Sequence, residues 1–116
     1  MIKTYLVGLD YGTESARGVL LDASSGAFVG EHVHAYRHGV MDRTLPNGSN
    51  LPSDWASQDA ADYLEAAEQI LRSLAKMVPT GSSVASIGID FTASTPLPTL
   101  ADGTSLSSLH QRNPHA

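Results

Sequence analysis

The chain of 116 residues contains no cysteine, which excludes disulfide bonds and thiolate metal sites and fits a cytoplasmic setting. It has no cluster of basic residues, since seven Lys and Arg are spread along the chain against twelve Asp and Glu, and its formal net charge is −5. This balance argues against nucleic acid or an anionic membrane as the main partner. No run of about 18 consecutive apolar residues occurs, so the sequence predicts no transmembrane helix.

The sequence also lacks a Gly-x-Gly-x-x-Gly segment and a Walker sequence, which argues against a dinucleotide-binding Rossmann unit or a P-loop. Its length corresponds to one small domain or to part of a larger one. A chain of this size can bury roughly two thirds of the surface that it exposes when unfolded. Its apolar content of 41% is ordinary for a globular domain.

Apolar runs separated by turn residues predict three strands at the start of the chain. Residues 5–9 are almost continuously apolar, as in a central strand buried on both faces. Strands at 16–21 and 27–36 follow after short turns, which favours an antiparallel meander. Residues 39–54, rich in Gly, Pro, Asn and Ser, predict a surface loop.

A helix is predicted to begin near Asp59, whose side chain can cap it. Apolar residues at spacings of three and four predict one buried stripe: Leu64, Ala67, Leu71, Leu74 and Val78. A right-handed crossover through this helix would make 86–91 a fourth strand, parallel to the first. With a small hairpin at 97–109, the predicted fold class is α/β with a mixed sheet.

The most informative stretch is 6–22, in which an apolar strand ends in Asp10, a tight turn follows, and a second apolar strand begins. A carboxylate at such a strand end can hold Mg²⁺ directly or through water. Gly12 lets the backbone approach a phosphate, and Thr13 adds a hydroxyl and an N–H to the donors of the turn. These residues predict a nucleotide–metal site, and a hairpin in which Asp10 only caps a turn is the alternative.

Arg17 lies inside the second apolar strand, where a charged side chain needs a partner. We expect it to face a phosphate or a carboxylate in the cleft, with a salt bridge to Asp10 or Asp90 as the alternative. Because the carboxyl ends of parallel strands face the ligand crevice, Asp10 and residues 90–95 should share one rim. Ser94 and Thr95 would then bind a hydroxylated substrate, unless this strand exit has no role.

The five histidines invite a metal interpretation, but no carboxylate or third His stands at a recognised ligand spacing around His32, His34 and His38. We interpret them as exposed strand histidines. Trp55 and Tyr63 flank the start of the helix, and both are predicted to anchor the core rather than to stack on a base. A pocket-lining role is the alternative for Trp55, which follows a long loop.

Residues 8–17, Gly-Leu-Asp-Tyr-Gly-Thr-Glu-Ser-Ala-Arg, resemble the first phosphate motif of the FGGY carbohydrate kinases in the actin/hexokinase/Hsp70 superfamily. Later segments resemble those of bacterial ribulokinases in chain order: 38–42, 51–58, 62–65, 88–96 and 113–116. The segment at 88–96 is the most specific, because glycerol kinases have an Arg-Glu pair at the positions of Ala93 and Ser94.

The resemblance implies a ribonuclease H-like, actin-like ATPase fold and transfer of the ATP γ-phosphate to the 5-hydroxyl of L-ribulose, a step of L-arabinose catabolism. By position, Asp10 would hold Mg²⁺ directly or through water, and Gly12, Thr13 and Arg17 would contact ATP. Ala93 and Ser94 would lie against the sugar. Another FGGY pentulose or pentitol kinase, or a non-enzymatic actin-like nucleotide-binding module, is the alternative.

Ribulokinases are several times longer than this chain, so residues 1–116 resemble the N-terminal part of their first domain. The catalytic base, an Asp, and the adenine-binding domain of the family would lie further along. We therefore expect no kinase activity from these residues alone, and self-association through an exposed sheet edge.

Overall fold

A computed structural model describes residues 2–53, 55–92 and 97–106. In chain order the elements are β1 (Thr4–Tyr11), β2 (Ser15–Asp22), β3 (Phe28–Ala35), β4 (Val40–Met41), β5 (Ser57–Gln58), α1 (Ala60–Ala75) and β6 (Ser83–Asp90). The four long strands form one sheet in the order β3–β2–β1–β6, and β4 pairs with β5 in a second, small sheet. This is the predicted mixed α/β architecture.

Strand direction follows from the lengths of the connections. Tight turns join β1 to β2 and β2 to β3, and both pairs are antiparallel. The long connection through α1 returns the chain to the far side of β1, where β6 pairs with it in parallel. The prediction that the fourth strand lies parallel to the first is confirmed.

Burial alternates along β1, so the prediction of a strand buried on both faces is wrong. The face toward α1 is buried, whereas Leu6 and Gly8 on the opposite face are half-buried and Asp10 is exposed. The reason is that α1 covers one side of the sheet. The core therefore lies between the sheet and α1, and its buried members are Tyr5, Val7, Leu9, Tyr11, Ala16, Leu20, Tyr36, Ala66, Ile70 and Leu74.

The helix begins as predicted, with Asp59 as N-cap accepting a hydrogen bond of 3.0 Å from the Ala61 N–H. The predicted stripe is confirmed in part, because Leu74 is buried and Ala67, Leu71 and Val78 pack against the core. Leu64 is 76% exposed, and the centre of the buried face is formed by Asp62, Ala66, Ile70 and Leu74. The two sets lie on overlapping faces of the helix, and apolar spacing alone does not choose between them. The sheet decides between them, since Ile70 and Leu74 fill the space above Gly18.

β6 forms one edge of the four-stranded sheet, and all of its residues are exposed. Because α1 packs against β2 and β3, Ile87 and Ile89 on the helix side of β6 remain 47% and 53% exposed. Trp55 is 62% exposed, so the prediction that it anchors the core is wrong. Tyr63 does pack against the core.

The segment predicted as a surface loop at 39–54 contains β4 and an isolated bridge between Thr44 and Asn50. Residues 97–106 turn back on themselves through a bridge between Thr99 and Ser105. The rest of the predicted hairpin, 107–109, lies outside the described residues. In the described ranges no helix is long and apolar enough to cross a membrane.

Candidate functional site

Two carboxylates stand side by side where β1 and β6 end. The parallel register pairs Asp10 with Asp90, and neighbouring strands lie about 4.8 Å apart. Both residues are exposed, and the Asp90 carboxylate accepts a hydrogen bond of 2.9 Å from the Phe91 N–H. The structure thus places the two predicted strand ends on one rim. Ala93 and Ser94, which follow on the same segment, lie outside the described residues.

The turn after Asp10, residues 12–14, is held in place by two side chains that donate hydrogen bonds to its carbonyl oxygens. The Tyr36 hydroxyl donates to the Gly12 carbonyl oxygen at 2.7 Å, and the Gln58 side-chain amide donates to the Thr13 carbonyl oxygen at 2.8 Å. In a planar trans peptide the C=O and the following N–H point in opposite directions. The N–H groups of Thr13 and Glu14 therefore point away from Tyr36 and Gln58. On that side of the turn they can donate to an anion.

Gly12 is required by the turn itself. Its N–H donates to the Ser15 carbonyl oxygen at 2.9 Å, and a Cβ on Gly12 would lie 2.9 Å from the same backbone oxygen. Since backbone atoms cannot yield as a flexible side chain can, a side chain here would open the turn. This constraint exists without any bound phosphate.

Arg17 pairs with a residue that the sequence did not suggest. The antiparallel register places it beside Asp10 on the same sheet face, but its Nε lies 3.8 Å from Glu31 Oε2 on β3. The two side chains are 58% and 46% exposed, and ion pairs of this kind contribute about 0.2–1 kcal/mol. Within the described residues its salt bridge is therefore to Glu31, not to Asp10 or Asp90.

Three tyrosines support the turn from the α1 side of the sheet. Tyr63 makes edge-to-face contacts with Tyr11 and Tyr36, with ring centroids 5.6 and 5.3 Å apart. Burial, followed by the charges of Tyr63 and other neighbours, raises the pKa of Tyr36 to about 12. Tyr36 is therefore neutral near pH 7 and keeps the proton that it donates to Gly12.

A cavity of about 670 Å³ opens next to the rim, between α1, the end of β6 and residues 97–106. Its lining is mainly apolar and includes Tyr11, Tyr63, Leu64, Ile89, Phe91 and Thr92. Phe91 stacks on Tyr11 with the ring centroids 5.7 Å apart. The size is typical of a small-molecule site, and the cavity lies directly beside the end of β6.

A cluster at the start of α1 shows that the interpretation of His38 as an exposed strand histidine is wrong, because His38 follows β3 and contacts two carboxylates that sequence reasoning did not connect with it. His38 Nδ1 lies 3.0 Å from Asp59 Oδ2 and 3.0 Å from Asp62 Oδ1, and the His38 N–H donates to Asp62 Oδ2 at 3.0 Å. The two carboxylates are buried. These contacts fasten the chain after β3 to the helix start. Asp59 and Asp62 are three residues apart at a helix start, and this spacing was the available signal.

Comparison with known proteins gives one consistent group of relatives. A ribulokinase of Shouchella clausii is 50% identical over 103 residues, which cover 84% of this chain and 18% of that protein. Ribulokinases of Halalkalibacterium halodurans and Mycolicibacterium smegmatis are 42% and 37% identical, with 100% and 97% of this chain covered and 21% of each relative. The chain thus spans about one fifth of the length of these curated relatives. No protein-family model matches it.

Solved structures show the same fold at lower sequence identity. A gluconate kinase from Lactobacillus acidophilus superposes with a TM-score of 0.70 at 21% identity, covering 90% of this chain and 18% of that chain. A ligand-bound xylulose kinase from the same organism gives a TM-score of 0.69 at 21% identity, with 89% and 18% covered. The mixed sheet and its crossover helix therefore share the fold of the matching parts of these two chains.

Proposed function

Because the chain belongs to the ribulokinase family of FGGY carbohydrate kinases, we propose that it forms one wall of an ATP-dependent sugar kinase. The observation that carries this proposal is the rim at which Asp10 and Asp90 stand in register beside the turn at 12–14. A sugar kinase positions a phosphoryl group between a nucleotide and a hydroxyl and stabilises its charge. A turn that offers N–H groups next to exposed carboxylates suits that task.

The residues of the turn are proposed to bind the phosphates of ATP. The N–H groups of Thr13 and Glu14 and the Thr13 hydroxyl supply donors, and Gly12 keeps the turn closed. Hydrogen bonds to a charged group contribute about 1.5–3 kcal/mol each. Arg17 lies one strand further out, and it adds positive potential to the sheet face that carries Asp10.

The donor set at the rim fits Mg²⁺, because carboxylate oxygens are the ligands that this ion prefers. Asp10 would hold it directly or through water, with Asp90 as the neighbouring carboxylate. Bound there, the ion would neutralise charge on the phosphates. The protein's own contribution is to keep two carboxylates in register on rigid strands.

L-Ribulose is the proposed substrate, phosphorylated on its 5-hydroxyl in L-arabinose catabolism in the cytoplasm. The names of the relatives support this choice. Ala93 and Ser94 are proposed to lie against the sugar, since they follow the end of β6 where the cavity opens. Another pentulose or pentitol kinase and a non-enzymatic actin-like nucleotide-binding module remain the competing proposals.

For the 116 residues alone we propose nucleotide contact without turnover, because they correspond to about one fifth of the relatives, 18–21% of their length. We also propose that they self-associate through β6, where Ile87 and Ile89 are about half exposed at a sheet edge.

The test is a graft of this chain into the Shouchella clausii ribulokinase in place of the matching residues. We expect ADP release that depends on L-ribulose and exceeds release with xylulose or ribitol, and its loss in the D10N graft. An S86N graft, changed on the neighbouring strand β6 and on the same sheet face as Asp10 but away from the rim, should keep the activity. A folded graft with no sugar-dependent ADP release would contradict the kinase proposal, and a preference for another sugar would replace the substrate.

A further inference from the structure

The geometry points to Gln58 as a positioning residue: we propose that it aims the N–H groups of the 12–14 turn at the phosphates. The inference rests on the proposed function, and it assigns a role to a side chain that touches neither nucleotide nor sugar. Gln58 is half-buried in β5, 45 residues along the chain from Thr13, whose carbonyl oxygen it binds.

The orientation of the Gln58 amide is fixed from its other end. Its Oε1 accepts a hydrogen bond from the Tyr63 hydroxyl, while its Nε2 donates to the Thr13 carbonyl oxygen at 2.8 Å. Rotation of the amide by half a turn would place Oε1 against the Thr13 oxygen, two acceptors without a proton between them. Tyr63 is itself held by packing and by the Tyr11 hydroxyl, which donates to the Tyr63 carbonyl oxygen at 3.0 Å.

The bond to Thr13 controls the direction of a donor. Because the peptide between Thr13 and Glu14 is planar, an anchor on the Thr13 carbonyl sets where the Glu14 N–H points. Tyr36 does the same for the preceding peptide through the Gly12 carbonyl. Without Gln58 the peptide between Thr13 and Glu14 loses this anchor. The Thr13 carbonyl oxygen can then turn toward the phosphates and repel them.

The backbone around Gln58 is held on both sides. β5 pairs with β4 at Gln58 and Val40, and the next residue, Asp59, caps α1. The position of Gln58 is therefore set by a rigid helix start, and the turn inherits that rigidity. This is the arrangement that a positioning residue requires.

The decisive variant is Q58E, which has nearly the same shape and replaces the donor with an acceptor at neutral pH. Q69E makes the same chemical change on the exposed surface of α1 and serves as the matched control. We expect Q58E to lower the backbone order parameters of Thr13 and Glu14 from about 0.85 to below about 0.6, measured by ¹⁵N relaxation of the whole chain. Q69E should leave them unchanged.

The second measurement is the dissociation constant for Mg·ATP, by calorimetry on the same proteins. Loss of one oriented hydrogen bond predicts about five- to tenfold weaker binding in Q58E. On lowering the pH to about 5, the Q58E carboxyl becomes partly protonated and its O–H can donate to Thr13, so the deficit relative to the unmodified chain should shrink.

The outcomes separate the two proposals. Equal order parameters in Q58E and Q69E overturn the role of Gln58, whatever the nucleotide result. If the turn loosens in Q58E but the unmodified chain does not bind Mg·ATP, the proposed function of the turn fails and the anchoring of the turn stands. If Q58E reduces stability to urea more than Q69E does, the Y63F variant tests the orienting role separately. It removes the hydroxyl that orients Gln58 and keeps Gln58 itself, and Mg·ATP binding should weaken by about two- to threefold.

Discussion

Gly18 lies directly beneath two side chains of α1, and adding a methyl group there should destabilise the fold. A Cβ on Gly18 would lie 2.1 Å from Cγ2 of Ile70 and 3.1 Å from Cδ1 of Leu74. Both neighbours are fully buried, at 0% and 1% exposure. Neither side chain can move out into solvent, so we expect α1 to shift away from β2.

The magnitude follows from overpacking of a core. G18A should cost about 1–3 kcal/mol, near the upper value because the contact is so short, less about 0.4–1 kcal/mol from the reduced freedom of the unfolded chain. I70A removes the clashing Cγ2 and should cost about 2–5 kcal/mol on its own, since it leaves a cavity. In the double variant the new methyl enters that cavity. The two changes should therefore couple favourably by about 1–3 kcal/mol.

Urea unfolding of the four proteins, at low concentration and with the m-value checked for constancy, measures this cycle. G30A is the matched control, because its Cβ would lie 2.6 Å from the Met77 sulfur, the end of a flexible side chain that is 39% exposed and can move aside. G30A should change stability by less than about 1 kcal/mol. Additive effects of G18A and I70A, or a G18A change no larger than that of G30A, would refute the proposed packing of α1.

Three further predictions follow. The Asp22 carboxylate accepts hydrogen bonds from Ser24 and Lys3, which lower its pKa. The stabilisation from these bonds is therefore complete above about pH 4 and is lost as pH falls through the lower pKa of the folded state. In a plot of the urea midpoint against pH, D22N should flatten the fall at acid pH, and D42N should not. The raised pKa of Tyr36, about 12, predicts a stabilisation that is present below about pH 10 and is lost as pH rises toward 12. Y36F should weaken that loss of stability. In a titration followed by absorbance near 295 nm, Y36F should show one late-titrating tyrosine fewer than the unmodified chain. I89K should reduce self-association in light scattering at high concentration more than S86K does, and a monomeric unmodified chain would contradict the association proposal.

The strand order was predictable because each clue was local. Turn residues bounded β1, β2 and β3, and one long connection containing a helix implied a parallel β6. The centre of the buried face of α1 was not predictable, because apolar spacing alone leaves two overlapping faces open. The choice depends on Gly18, 52 residues away from Ile70, and such a pairing becomes visible only when the sheet exists.

The candidate site also has a part that was predictable from the sequence and a part that was not. Asp10, Gly12 and Thr13 are consecutive features of one hairpin, so the sequence suggested them together, and the predicted neighbour Asp90 does lie beside Asp10. The supports were out of reach of pattern reasoning, since Tyr36 and Gln58 bind carbonyl groups of that turn from distant parts of the chain. A Gln in a polar stretch has no periodicity and no charge to mark it. Trp55 misled for the opposite reason, because a large aromatic suggests a core even where it is exposed.

The start of α1 links these supports into one mechanical unit. Within six residues, Gln58 holds the turn, Asp59 caps the helix, and Tyr63 orients Gln58. His38 joins the unit through Asp59 and Asp62, which fastens the chain leaving β3 to the same helix end. Since the helix is in turn fixed to the sheet through its contact above Gly18, a shift of α1 would move Gln58 and with it the Thr13 carbonyl. The precision of the turn therefore depends on core packing well away from it.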